Sequence, residues 1–171
     1  MKKALLVIDM LHDFIDPAGA LYCGSEGEKI VPVIKNIIEE FLSEGAEIFY
    51  ICDSHKEDDL EFKRFPKHCV TGTIGAEVIS SLNFACKDDH MILKQRYSAF
   101  YQTNLEEKLV GIDEVVLVGV CTNICVLFTA EELCNRDKRV IIYKDAVASF
   151  DKKAHENALA EMKNVLGVII K

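Results

Sequence analysis

The chain has 171 residues, half of them hydrophobic and 28% charged. That fits one compact domain over residues 1–171 and excludes the apolar-poor composition of a disordered chain. Twenty basic against 28 acidic residues leave a net charge of −8, which argues against nucleic acid or anionic membrane as a partner and for a small molecule.

Met1-Lys2-Lys3 and the run Ala4–Ile8 have the charged and apolar parts of a signal peptide. Asp9 interrupts the run too early, and no small-residue cleavage site follows, so the segment reads as a first strand. No apolar run approaches the ~20 residues of a membrane span. Ile30, Val33, Ile34, Ile37, Ile38, Phe41 and Leu42 recur at three and four and predict a helix with one apolar face. Glu44-Gly45 supplies its stop, with Gly45 at a left-handed cap position. Ala46–Cys52 predicts a second strand ended by Asp53, and Asp53–Gly75 is the least regular stretch, long enough for a functional loop. His90–Leu93 predicts a short strand ended by Lys94, and Val115–Val120 another. Asn123–Cys134 predicts a helix with Thr122 or Asn123 as its N-cap. Val140–Tyr143, a helix over Asp151–Asn164 closed by Gly167, and Val168–Ile170 complete the pattern. Continuous apolar runs alternating with helices predict an α/β fold with a mainly parallel sheet covered on both faces.

The seven cysteines are odd in number and without framework spacing. Most read as small buried hydrophobes in a reducing cytosolic protein. Cys121 and Cys125, four apart, suit a metal only if further thiols join them.

In such folds ligands bind beyond the carboxyl ends of the strands. Asp9, Asp53, Lys94 and the segment from Gly119 all fall there. Cys125 stands where a strand turns into a helix, and the helix dipole with its free N–H groups favours a nucleophilic thiolate and offers an oxyanion site. The position also suits a buried structural cysteine. No histidine occupies an obvious strand end beside it, but Asp9 does, as a base or as a simple strand cap. Lys94 reads either as a snorkelling surface lysine or as the ammonium that stabilises nearby anions. Asp53-Ser54-His55 with His68 forms an Asp/His/His set, with Glu61 as an additional ligand, suited to Zn²⁺, Fe²⁺ or Mn²⁺. Loop histidines are also often merely solvated. His12 falls near the mouth of the site, His90 opens a strand, His155 reads as structural, and the acidic run Glu57-Asp58-Asp59 reads as a solvated loop face.

Taken together these segments resemble the isochorismatase-like cysteine hydrolases, and among them the nicotinamidases, over nearly the whole chain. Ala4-Leu-Leu-Val-Ile-Asp9-Met-Leu-His-Asp13-Phe14 resembles the family's opening strand. Asp53-Ser-His55 and Phe65-Pro-Lys-His68-Cys-Val-Thr-Gly-Thr-Ile-Gly75 resemble its metal and substrate loop. Lys94-Gln-Arg-Tyr97-Ser-Ala-Phe100 resembles the catalytic-lysine segment, and Gly119-Val-Cys-Thr-Asn-Ile-Cys125-Val-Leu-Phe-Thr-Ala130 the nucleophile motif. The resemblance implies a three-layer, doubly wound α/β fold, and Cys125 as nucleophile, Asp9 as general base and Lys94 as their electrostatic partner. It also implies a cis peptide between Val120 and Cys121, with the N–H groups of Cys121 and Cys125 facing the oxyanion. One divalent metal per chain would sit on Asp53, His55 and His68, joined by Glu61, which lies where some nicotinamidases place a metal-site Glu. Phe14, Phe65 and Tyr97 would wall a pyridine ring. The reaction implied is nicotinamide hydrolysis to nicotinic acid and ammonia by a cytoplasmic enzyme, with self-association, since relatives are often dimers or larger. Asn123 stands where relatives more often have Asp, and the loop between His55 and His68 is shortened. Hydrolysis of another small amide or carbamoyl compound, isochorismatase-type vinyl ether cleavage, and a non-enzymatic binding domain are the alternatives.

Overall fold

The computed structural model describes residues 2–171. Its elements are β1 (Lys3–Ile8), α1 (His12–Ile15), α2 (Gly24–Ser43), β2 (Glu47–Asp53), β3 (Met91–Lys94), α3 (Leu105–Lys108), β4 (Glu114–Val120), α4 (Leu127–Cys134), β5 (Arg139–Ala148), α5 (Lys152–Asn164) and β6 (Ile169–Ile170). The strands form one all-parallel sheet in the order β3-β2-β1-β4-β5-β6. This is a doubly wound order, and its direction reverses at β1, between β2 and β4.

The apolar strand residues divide by parity between two cores. Leu5, Val7, Tyr50, Val116 and Val118 pack under α2 through Ile30, Ile34, Ile37, Ile38 and Phe41. Ala4, Leu6, Ile8, Phe49, Ile51 and Leu117 pack on the other face with Leu105, Ala130, Leu133, Ala158 and Met162 of α3, α4 and α5. Layers therefore cover both faces, as parallel strands require. Gly45 ends α2 at φ +65°, in the left-handed region where the lack of a Cβ removes the strain. Among the described residues no helix is long and apolar enough to cross a membrane.

The structure corrects several sequence expectations. Leu42, assigned to the apolar face of α2, is 43% exposed, because Phe41 takes the core-facing place in the last turn and Leu42, one residue on, is rotated about 100° away from it. β5 runs on from Tyr143 to Ala148. Exposed Lys144 and Asp145 interrupt its apolar run, and the pairing with β4 shifts register between Leu117 and Gly119. Neither Thr122 nor Asn123 caps a helix. Residues 122–126 form one wide turn, with Val126 N donating to the Cys121 carbonyl at 3.2 Å, and α4 proper starts at Leu127. Thr122 Oγ1 instead pairs with His155 Nδ1 at 2.8 Å, and Asn123 Oδ1 accepts from Ser149 Oγ at 2.6 Å. Cys86 and Cys134 are only half-buried; the other five cysteines are buried.

At Gly119, φ is +115° and an added Cβ would stand 2.0 Å from the Ile8 carbonyl oxygen. The contact brings the ends of β1 and β4 together at the reversal point of the sheet.

Candidate active site

Four neighbouring strands each deliver one group to the carboxyl edge. Asp9 follows β1 and adopts φ +51°, a conformation that a short polar side chain tolerates. Its N–H donates to the Ile51 carbonyl at 2.8 Å, and its Oδ1 accepts from Asp53 N at 2.9 Å. Lys94 ends β3. Of the alternating residues on that edge strand, Met91 and Leu93 face out while Ile92 and Lys94 face in. The snorkelling reading fails, since the Lys94 side chain is 0% exposed. Its ammonium lies 2.9 Å from Asp9 Oδ2, pairs with Asp53 Oδ1 and donates to Cys125 Sγ at 3.4 Å. A carboxylate oxygen of Asp9, one of Asp53 and the Cys125 sulfur lie within 4.8 Å of one another.

Burial and then the neighbouring Asp53 push the Asp9 carboxyl up to about 6, against the pull of Lys94. Burial also drives Asp53 upward, but Lys94 and the two histidines more than offset it and hold it below the ordinary range. Burial alone would lower Lys94, but the two carboxylates raise it well above its ordinary value. At Cys125 burial works against the thiolate that the helix end favours. Burial first, and then the nearby carboxylates, raise the thiol well above its ordinary value despite Lys94. The wide turn runs straight into α4, with Val126 helical at φ −66° and ψ −50°, so the helix N-terminus and Lys94 favour the anion while burial opposes it. Asp9 Oδ2 faces Lys94 but makes no aligned hydrogen bond among the described residues, which leaves a lone pair for the thiol proton.

The Val120–Cys121 peptide is cis. Cys121 Sγ lies 3.5 Å from Cys23 Sγ, both buried, so this thiol contacts a second thiol rather than the carboxylates.

Asp53, His55 and His68 converge with one ligand atom each inside 4.8 Å. Asp53 Oδ2 stands 3.6 Å from His55 Nε2 and 3.7 Å from His68 Nε2, too far for hydrogen bonds and suited to sharing an ion. His55 Nδ1 donates to Asp59 Oδ2 at 3.1 Å and His68 Nδ1 to the Pro66 carbonyl at 2.7 Å. Both acceptors are oxygens, so each ring donates from Nδ1 and turns its Nε2 toward Asp53. His55 Nε2 is buried without a partner, as is Oε2 of the 3%-exposed Glu61. Orphaned buried donors and acceptors are rare, and this set fits a divalent transition ion. Glu61 falls outside the converging trio.

Phe14, Phe65 and Tyr97 line the same cleft as Asp53, His68, Cys121 and Cys125. Phe14 and Phe65 set their rings edge-on to His68, with centroids 5.7 and 6.4 Å away, and Phe65 meets Tyr97 edge-on at 6.4 Å. Leu21, Ile124 and Phe150 also line the cleft. No periodicity marked them, since they come from loops and turns. Larger surface grooves lie elsewhere, one beside Lys29, Lys144 and Lys152 and one at the amino ends of the strands. Neither holds the converging carboxylates and thiol. His12 pairs with Asp16 at 2.5 Å, His90 Nδ1 donates to the Ile48 carbonyl of β2 at 3.0 Å, and His155 holds Thr122.

Two acids carry more than their sequence context suggested. Asp13 accepts from Cys69 N at 2.7 Å and Ala20 N at 3.2 Å, pinning the loop that follows His68. Its only sequence signal is its place four residues after Asp9. Asp59 departs from the solvated face expected of residues 57–59, because His55 and Arg96 draw its carboxylate inward to 4% exposure.

A family model for the isochorismatase domain matches residues 3–171. The isochorismatase-family protein PncA of Bacillus subtilis strain 168 is 40% identical, covering 98% of this chain and 97% of its own length. The crystal structure of nicotinamidase/pyrazinamidase PncA from Bacillus subtilis superposes with a TM-score of 0.93 at 39% identity, over 99% of each chain. The pyrazinamidase of Pyrococcus horikoshii in complex with zinc superposes with a TM-score of 0.91 at 35% identity, over 100% of this chain and 99% of the other. A shared sheet order carries no chemistry by itself, but here the sequence match runs through every strand end that builds the cleft. The chain belongs to the isochorismatase family and is a hydrolase of non-peptide amide bonds, similar to the nicotinamidases.

Proposed function

We propose that residues 1–171 act as one nicotinamidase domain, converting nicotinamide and water to nicotinic acid and ammonia. The observation that carries the reading is the Asp53/His55/His68 trio, of which Asp53 and His68 line the same aromatic cleft as Cys125.

Asp9 takes the proton of the Cys125 thiol. Its pKa near 6 suits a base working around neutrality. The adjacent Lys94 ammonium stabilises the thiolate as it forms. The sulfur attacks the carboxamide carbon, and the N–H groups of Cys121 and Cys125 hold the oxyanion. Asp9 passes the proton to the departing ammonia. It then accepts a proton from the water that attacks the thioester, and nicotinic acid leaves as Cys125 is regenerated. Asp53, His55 and His68, with Glu61 as a further carboxylate, would hold one divalent ion, Zn²⁺, Fe²⁺ or Mn²⁺. When bound, such an ion supplies a Lewis-acid anchor for a ring nitrogen. Phe14, Phe65 and Tyr97 wall the ring and hold its carboxamide toward Cys125.

The test is ammonia release from nicotinamide and from benzamide, with and without chelator. Benzamide has the same carboxamide and no ring nitrogen. We expect nicotinamide turnover to be chelator-sensitive and benzamide to be a poor substrate. Equal hydrolysis of the two would overturn the nicotinamidase reading and leave the amide hydrolase.

A further inference from the structure

The acidic run at 57–59 divides in the folded chain, with Glu57 and Asp58 exposed and the Asp59 carboxylate buried. Asp59 Oδ2 accepts from His55 Nδ1 at 3.1 Å. Its Oδ1 accepts from Glu61 N at 2.8 Å and thereby caps the short helical turn Leu60–Lys63. Arg96 Nη1 donates to both oxygens, at 3.0 and 3.1 Å, and lies 3.9 Å from Glu61 Oε2. One carboxylate therefore fixes the His55 side chain and the backbone of Glu61, two of the residues assigned above to the ion. Arg96, two positions after Lys94, supplies its counter-charge.

We propose that Asp59 is a positioning residue for the metal site. By taking the Nδ1 proton of His55 it sets that ring's tautomer and aims the Nε2 lone pair at Asp53, and this sets the affinity for a divalent ion. The proposal rests on reading Asp53, His55 and His68 as such a site. The physical reason is tautomeric. A neutral imidazole carries one N–H, and His55 is fully buried, with Asp59 Oδ2 within hydrogen-bond distance of Nδ1 at 3.1 Å and Asp53 Oδ2 beyond it from Nε2 at 3.6 Å. Asp59 makes the Nδ1–H form the favoured one. In Asp59→Asn, an amide oxygen turned to His55 would leave the amide N–H₂ facing the Glu61 N–H and Arg96, donor against donor. The substitution therefore loses either the His55 bond or the cap.

The experiment uses metal-stripped full-length protein and Zn²⁺ alone, with affinity read by competition against a chromophoric chelator. We expect Asp59→Asn to weaken Zn²⁺ binding about 10- to 100-fold, the usual cost of losing such a partner. Its amide hydrolysis should return as free Zn²⁺ is raised, with the half-saturating Zn²⁺ moved by the same factor as Kd. A fold defect would not be rescued that way. ¹⁵N-detected histidine spectra of the stripped wild type should show His55 protonated at Nδ1. That measurement decides the matter even if the Asn variant does not fold, since an Nε2–H tautomer would overturn the proposal. Unchanged Zn²⁺ affinity in Asp59→Asn would also overturn it while leaving the metal reading intact. A wild type without stoichiometric Zn²⁺ binding would overturn the metal reading itself, and the proposal with it.

Discussion

Replacing Lys94 by Met removes a buried charge while keeping most of the stem volume. The ammonium stands 2.9 Å from Asp9 Oδ2 and also pairs with Asp53, and all three side chains are within 5% of complete burial. At an effective dielectric constant near 20, one such contact is a gross attraction of about 6 kcal/mol, much of it offset by desolvation. Deleting one partner leaves two buried carboxylates facing each other, which typically costs about 3–5 kcal/mol. For a chain of 171 residues that is a fall in Tm of roughly 6–20 °C. The assay is urea unfolding of chelated protein followed by far-UV circular dichroism, since the chain has no tryptophan to report on. Chelation keeps ion binding out of the measured stability. Adding Asp9→Asn removes one of the stranded charges, so the double variant should be less destabilised than the sum by about 0.5–3 kcal/mol. If Lys94→Met stays within about 0.5 kcal/mol of wild type, or if the two effects simply add, the account of a buried three-charge cluster is wrong.

Cys125→Ala is expected to abolish ammonia release with the circular dichroism spectrum intact, whereas Cys121→Ala keeps turnover because its N–H remains. The opposite result would refute the choice of nucleophile. Gly119→Ala should lose on the order of 4 kcal/mol or more, because its Cβ would meet the Ile8 carbonyl at 2.0 Å at an already positive φ; a Tm close to wild type would show that the strand ends do not approach so closely. Burial lowers the His155 imidazole below its ordinary 6.5. The folded state therefore binds that proton more weakly than the unfolded chain does. Its contribution to stability is full above the unfolded value and is lost as pH falls through the lower, folded one. His155→Gln should flatten the loss of stability below about pH 6.5, and an unchanged slope in urea titrations would contradict this.

The sheet and the gathering of Asp9, Asp53, Lys94 and Cys125 at one edge were legible because parallel strands read as unbroken apolar runs and each run stops at a polar residue. The second half of β5 was not legible, since Lys144 and Asp145 turn outward and break its apolar signature. The upward push on the Cys125 thiol was hidden as well. It depends on how completely the thiol is buried and on two carboxylates from strands far away in sequence. Asp59 was hidden for a related reason. Its neighbours Glu57 and Asp58 are exposed, and only the pairing of β2 with β3 brings Arg96 across to it.

The order β3-β2-β1-β4 has a consequence for how the molecule is made. The first strand to be synthesised is flanked by β2 and by β4, so one edge of it waits, apolar and unpaired, until residues 114–120 arrive. Closing so long a loop is entropically slow, and such contacts tend to come late in folding. The charged cluster and the thiol meet only at that closure, because they ride on four different strands. During refolding, the return of turnover therefore marks the moment the nascent sheet accepts β4, while helical signal from α2 can recover without it.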